Sequence, residues 1–372
     1  LKVKNDINER IKNNLNKNEI KIKIMENSFF IFTGQDEHID IERFHICTWE
    51  FNADSSLLEF GAEISQKSIK SDKLSISIFI PWLSAACKVE DLYERLSIAE
   101  NSRFIFNDSL AGTDSLDGGR NRLGVIHKFS QRNKLCILPV KFDTSEDKIL
   151  TILINLKSYN DLEEKPNVYF RFLVKPNFPF LSTRKKGIGK STIIYDAKVN
   201  EKRNIPDDQL SYFSNKVFCK INTCFFFNII PNKYDIIFLD DSSLKNVRTL
   251  EYDSFNKYLQ DKRVKKDELM VVFNKKKDAE SFSFFSIFAK ERIGPGQFAL
   301  AILINLICGI LLFIPAYRKT VIPEARLSEL LIELPTEVYI ALIIATLTLL
   351  YFSWPLITNV LKISGKLKRS KK

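Results

Sequence analysis

The chain is poor in the residues from which catalytic and metal centres are usually built. It holds three histidines in 372 residues, and none stands in H-E-x-x-H or a comparable ligand spacing. Its six cysteines include no C-x-x-C pair, which argues against a zinc site, a dithiol redox motif and a disulfide scaffold. There is no G-x-S-x-G, and no internal repeat is visible. His38, His45 and His127 have no obvious partner in the sequence, and nothing selects a pair of carboxylates for hydrolysis. The expectation is a protein with no catalytic residues, no metal and no cofactor. Cys219 and Cys224, five apart in a strand-like run, are expected to face opposite sides and to be core residues. No apolar stretch near the N-terminus has the form of a signal peptide.

What is present is enough apolar material for a large core. Hydrophobic residues make up 45% and charged residues 27%, which excludes a disordered or collagenous chain. The length suits about two domains. The net charge of +11 is unevenly placed, with +5 in residues 294–372 and +6 in all the rest. The basic excess is therefore too thin over the longer part to declare a polyanion-binding domain by itself.

Two long runs carry no charge, Ile293–Tyr317 and Val338–Leu361. About 20 apolar residues in a helix cross a bilayer core, so membrane helices are expected at 297–317 and 338–361. Lys275, Lys276, Lys277, Lys290 and Arg292 precede the first run, and six Lys/Arg lie in the tail 362–372, while only Arg318, Lys319 and Arg326 lie between the runs. The positive-inside rule then puts both termini in the cytoplasm, which predicts a multi-pass membrane protein. Between the helices, Leu327, Leu330, Leu331 and Leu334 form one apolar stripe from Pro323 to Pro335, with Glu329 and Glu333 on another face. That segment is too short to span and is expected in the outer interface or as a re-entrant pore helix. Asn305, Thr346 and Thr348 are polar groups at bilayer depth, where an amide prefers a partner across a helix interface. Gly294-Pro295-Gly296 is expected as a turn or hinge before the first helix.

Residues 1–292 read as β-rich. Strand-like runs include Glu19–Met25, Phe29–Thr33, Phe44–Phe51, Leu74–Pro81, Leu135–Phe142, Ile149–Leu156, Asn167–Val174, Val217–Ile230, Asp235–Leu239, Met270–Phe273 and Phe282–Phe288. Helices are expected at Asn5–Asn16, Val89–Glu100, Asp207–Asn215 and Ser254–Lys262. The fold class that follows is α+β, mainly antiparallel, with a two-helix transmembrane hairpin after it. The polar stretch Ser158–Asn167 is where the β-rich region would subdivide, near residue 160.

One motif imitates a phosphate-binding loop. Lys185-Lys186-Gly187-Ile188-Gly189-Lys190-Ser191-Thr192 ends in G-K-S, but Arg184 stands where the P-loop needs its first glycine. The residues after it, Ile193–Val199, read as a strand and not as the helix that should receive phosphates. A looser anion site remains open: Arg184, Lys185, Lys186 and Lys190 surround Gly187 and Gly189, and glycine lets backbone N–H groups approach an anion. Phe178, Phe180 and Tyr195 are close enough in sequence to stack on bases. A second Gly-rich loop, Ala111–Arg122, adds Arg120 and Arg122. Together they suggest a nucleotide or oligonucleotide ligand; the alternative is two exposed turns with solvated charges.

In layout, a β-rich region to Arg292, a short joint and two C-terminal helices, the chain resembles bacterial membrane effectors of anti-phage defence. The resemblance implies a ligand-responsive homo-oligomer that permeabilises or depolarises the inner membrane. The interhelical segment is similar to that of two-helix cation channels, although the potassium filter T-V-G-Y-G is absent. Two other readings stand beside it: a tethered binding or scaffold protein whose helices only anchor it, and a membrane-bound nucleotidase or hydrolase.

Overall fold

Alternation of apolar and polar residues builds two large sheets, and their facing sides close on one core. The computed structural model describes residues 27–35, 37–51, 56–177, 181–187, 189–240, 242–291, 295–321 and 335–347. The chain divides into two units, residues 1–186 with 191–290, and the remainder.

In chain order the strands are β1 (Asn27–Thr33), β2 (Asp40–Glu50), β3 (Ser56–Ile64), β4 (Lys73–Phe79), β5 (Lys88–Asp91), β6 (Leu110–Ser115) and β7 (Val125–Phe129). They continue with β8 (Leu135–Ile137), β9 (Val140–Asp143), β10 (Ile149–Asn155), β11 (Asn167–Lys175), β12 (Thr183–Lys186) and β13 (Lys190–Val199). The last are β14 (Val217–Phe218), β15 (Lys220–Pro231), β16 (Asp235–Leu239), β17 (Leu244–Thr249), β18 (Leu269–Lys277) and β19 (Phe282–Glu291). The helices that matter below are α1 (Ala99–Phe106), α2 (Tyr252–Leu259) and α3 (Pro295–Val321).

The first sheet runs β16-β19-β13-β1-β4-β10-β9, with β12 on β13 and β14 on β1. The second runs β17-β18-β15-β2-β3-β11-β8-β7-β6, with β5 on β11. Most neighbours are antiparallel; β1–β13, β8–β11 and β2–β15 are parallel. The α+β class and the mixed, largely antiparallel pairing agree with the sequence reading. Residues on both sides of position 160 share both sheets, because β11 pairs with β3 and β13 with β1.

Even-numbered residues of β2 and β15, such as Phe44, Ile46, Cys224 and Phe226, face the first sheet and join Phe29, Ile31, Ile76 and Ile78 in the main core. Ile41 and Ile221 also join the main core, but from Arg43 and Thr223 onward odd-numbered residues of the same strands face the other way. There Trp49, Tyr169, Leu173 and Ile229 meet α1 and α2 in a second core. The central strands are consequently buried on both faces, as the unbroken burial of β1 and β3 records.

Two expected strands break where the chain changes sheet. Leu135–Phe142 is β8 in the second sheet and β9 in the first, parted at Leu138-Pro139, where proline has no N–H for a ladder. Val217–Ile230 parts at Cys219, with β14 in the first sheet and β15 in the second. Cys219 thus belongs to neither strand, and both it and Cys224 enter the same core instead of opposite faces. Burial pushes the Cys219 thiol up to about 12. The predicted helix Val89–Glu100 gives way at its start to β5, because Val89 pairs with Val174 on the free edge of β11. Asp207–Asn215 is two short turns, Asp207–Gln209 and Leu210–Phe213. The expected elements Asn5–Asn16 and Glu19–Met25 lie outside the described residues.

In the second unit, α3 contains one stretch, Leu300–Tyr317, long and apolar enough to cross a membrane. It is exposed along nearly its whole length, unlike a core helix. A second apolar helix is described over Thr336–Leu347 only. The rest of the expected span 338–361, most of the interhelical segment 323–335 with Glu329 and Glu333, Thr348 and the tail 362–372 lie outside the described residues. The expected hinge is corrected in part. Helix α3 already begins at Pro295, where a missing N–H leaves nothing unsatisfied, so Pro295 and Gly296 belong to its first turn; Gly294 lies outside the described residues.

Candidate ligand-binding cleft

The loop residues singled out by sequence are dispersed. Arg120 and Arg122 are exposed in the turn between β6 and β7, which Ser115 and Asp117 tie down; the Arg122 N–H donates to Asp117 Oδ2 at 2.8 Å. Gly187 and Gly189 sit in the β12–β13 hairpin of the other sheet, closed by the Gly187 N–H on the Lys190 carbonyl at 2.8 Å. Lys186 pairs with Ser191 in that ladder, and Lys185 and Lys190 are exposed. The strand expected after Lys190 is β13, which removes the helix a P-loop requires. Arg184 turns inward and ion-pairs with Glu50, a fully buried carboxylate. Glu50 also accepts from Tyr195 Oη at 2.6 Å, Ser56 Oγ at 3.0 Å and Ser182 Oγ at 3.3 Å. Tyr195 is therefore a core side chain that cannot stack on a base, and burial followed by Glu50 raises its phenol well above the ordinary range. Phe178 and Phe180 lie outside the described residues.

A different site assembles on the outer face of the second sheet. Parallel and antiparallel register put His45 beside Phe225 and Phe225 beside Lys275, and Cys47 beside Phe227 and Phe227 beside Phe273. One row further on, Arg43 adjoins Thr223, and β17 sets Asn246 against Phe273. Side chains two apart on a strand share a face, so β2, β15 and β18 present a tiled floor of rings with cations at its margin. Helix α1 and α2 cover only part of that face. The uncovered part is a cleft of about 510 Å³, with Phe104, Phe106 and Arg132 on one wall and Lys245 and Arg248 on the other. Asp108 is the single carboxylate among the lining residues.

The rings are stacked. His45 and Phe225 have centroids 4.9 Å apart at 27°, and Phe227 and Phe273 are 4.5 Å apart at 16°. Phe227 and Phe273 are only half-buried, so part of each ring is accessible from the cleft. Lys245 Nζ stands 5.1 Å from the Phe273 centroid and Lys275 Nζ 5.4 Å from that of Phe225. Neither ammonium has a carboxylate within ion-pair distance among the described residues.

Beneath the floor lies a buried polar network that fixes its shape. Glu59, fully buried, accepts from Trp49 Nε1 at 2.8 Å, Arg171 Nε at 2.7 Å and Tyr258 Oη at 3.1 Å. Tyr169 Oη lies 3.3 Å from His45 Nδ1 and 3.5 Å from Arg171. Glu63 accepts from Arg132 at 2.9 Å and Asn167 at 2.9 Å, and Arg43 lies 3.6 Å away. Arg132 in turn lies over the rings of Phe106 and Phe129 at 5.0 and 5.1 Å. Every one of these acids is thus matched, and the cations outnumber them. His45 registers the imbalance: burial, then Arg171, Arg132 and Arg43, hold its imidazole well below the ordinary range and neutral at pH 7. Lys275 is likewise lowered, by burial and then by Lys277 and Lys245.

Gly61 is required by this network. A Cβ at that position would meet Tyr169 Oη at 2.3 Å. Gly61→Ala is therefore expected to displace Tyr169 from His45 and to lower stability by about 1–3 kcal/mol, read as a shift in the denaturation midpoint. An unchanged midpoint would contradict the packing described.

The sequence reading missed the cleft because its residues come from strands separated by nearly two hundred positions. The one available signal was local: Arg43-x-His45-x-Cys47, Phe225-x-Phe227 and Phe273-x-Lys275 each put aromatic or cationic residues on the face opposite the main core. The other two histidines serve structure or solvent. His127 lies between Thr113 Oγ1 at 2.9 Å and the Leu96 carbonyl at 2.8 Å, while His38 is exposed. No group of His, Cys, Asp and Glu among the described residues could hold a metal ion.

In the second unit, Asn305 is exposed on α3. Thr346 Oγ1 donates to the Leu342 carbonyl at 2.8 Å, so its hydroxyl is satisfied within its own helix and needs no partner in a bundle. The sequence matches no known family model and no curated protein.

Proposed function

We propose that this chain is a ligand-responsive membrane effector, in which the β-rich unit receives a small anionic ligand and controls the C-terminal helices. The observation that carries the proposal is the cleft of about 510 Å³, floored by stacked rings and rimmed by cations. A concave site of roughly 300–1,000 Å³ with a few convergent polar groups is what small-molecule binding needs. Strand β18 lines that cleft and is followed by β19 and then by α3, so only one strand separates the ligand-facing residues from the apolar helix in the chain. In this reading the protein sits in a bacterial inner membrane with both termini in the cytoplasm. Copies associate through helices bearing Asn305, and the oligomer permeabilises or depolarises the membrane, as in anti-phage defence.

A second reading, a tethered binding protein, draws support from the fact that one helix among the described residues suffices to hold it at a membrane. Regulated expression in bacteria with a membrane-potential dye separates the two. Depolarisation is expected for the wild type and is expected to be abolished by Asn305→Leu, which keeps the helix apolar but removes its amide. A wild-type protein that reaches the membrane and leaves the potential unchanged would favour the anchor.

A further inference from the structure

We infer that the ligand of the cleft is a nucleotide, its base laid on the Phe227–Phe273 rings and its phosphate held by Arg43, Lys245 and Lys275. The inference rests on the reading of the cleft as a receptor site and narrows the chemistry that site selects.

The floor is made of π-faces where an aliphatic pocket would serve an aliphatic ligand. His45, Phe225, Phe227 and Phe273 stand on three adjacent strands, and their ring-to-ring spacings of 4.5–6.4 Å match those of stacked aromatic groups. A planar base laid on Phe227 and Phe273 would continue that stack, and stacking of this kind tolerates any base. Two of the cations, Arg43 and Lys275, are ordered along the same strands, and Lys245 stands on the neighbouring β17 with its ammonium near the Phe273 ring. The row formed by His45, Phe225 and Lys275 lies one step from Cys47, Phe227 and Phe273, and Arg43 lies one step beyond it. Successive same-face rows are roughly 7 Å apart, about the distance from a base through its sugar to a phosphate.

The rim can hold such a phosphate. Among the described residues Lys245 and Lys275 have no carboxylate partner, and Arg43 contacts Glu63 at a long 3.6 Å. Crowded cations with one acidic residue on the lining repel a cationic ligand and attract an anionic one. Beyond the rings, toward Ile229 and Val271, the floor is apolar. The site is thus amphipathic in the order phosphate, ring, apolar end.

The test is equilibrium dialysis of the full chain in detergent against ATP, GTP, adenosine and inorganic phosphate. Saturable binding of ATP or GTP is expected, with adenosine and inorganic phosphate each at least tenfold weaker. Lys245→Glu, at an exposed position, and Lys245→Glu with Lys275→Glu are expected to weaken nucleotide binding by tenfold or more and to flatten its salt dependence. Phe227→Leu, which preserves bulk but removes the ring, is expected to weaken it several-fold. Adenosine or phosphate binding as tightly as ATP would overturn the assignment. So would nucleotide binding indifferent to the Lys245 and Phe227 variants. A further probe, 8-anilinonaphthalene-1-sulfonate, keeps the two proposals apart. Saturable binding of that dye, lost in the lysine double variant, with no nucleotide binding, would overturn the nucleotide and leave an anion receptor. Binding of neither probe would overturn both.

Discussion

Arg171→Ala is expected to lower the stability of the β-rich unit by about 3–5 kcal/mol, because it leaves Glu59 buried without its cation. Glu59 is fully enclosed, and Trp49 and Tyr258 together supply two neutral donors, which do not compensate a charge in that setting. Trp49 donates directly to Glu59, so denaturant unfolding followed by tryptophan fluorescence reads the event at its source. The paired replacement Glu59→Leu with Arg171→Met removes both charges and is expected to recover most of the loss. It would also remove a cation that bears on His45 and so soften the positive field of the cleft floor. A loss below about 1 kcal/mol in the single variant would mean that Glu59 does not depend on Arg171.

The second large effect separates a structural arginine from a binding one. Arg184→Ala is expected to lower stability by about 3–5 kcal/mol, since Glu50 then loses its cation and, among the described residues, keeps hydroxyl donors from Tyr195, Ser56 and Ser182. Lys185→Glu and Lys190→Glu, at exposed positions of the same hairpin, are expected to stay within about 0.5 kcal/mol of the wild type. None of the three should change nucleotide affinity more than about twofold if the cleft is the receptor. The result to watch for is an Arg184→Ala protein of normal stability that no longer binds nucleotide. That outcome would return the binding site to the Gly187–Gly189 loop.

Much of the fold was legible because it depends on local pattern. Apolar alternation located β1, β2, β4, β10, β11, β16, β18 and β19, and the uncharged run around Asn305 located α3. What stayed hidden depends on distant partners. Nothing local in Leu135–Phe142 says that its two halves serve different sheets; the proline at 139 marks the break only once the sheets are known. Val89 is helix-compatible until the edge of β11 offers it a ladder. The site was less legible than the fold for the same reason. A cluster such as Arg184–Lys190 is conspicuous because its charges are consecutive, yet consecutive residues of a hairpin point in opposite directions, and Arg184 points to Glu50. Arg43 and Lys245 are isolated in sequence, Lys275 belongs to a lysine run read for topology, and the three converge only through the pairing of β2, β15, β18 and β17.

The position of β19 has a mechanical consequence. It is the strand that precedes α3, and it lies inside the first sheet between β16 and β13. Any pull exerted through α3 therefore enters the β-rich unit through a strand gripped along both edges. A peripheral strand would peel away one bond at a time, whereas β19 can leave only if two ladders part together. The connection to α3 is consequently stiff at its root, so force passes into the sheet before it can be dissipated by local unravelling.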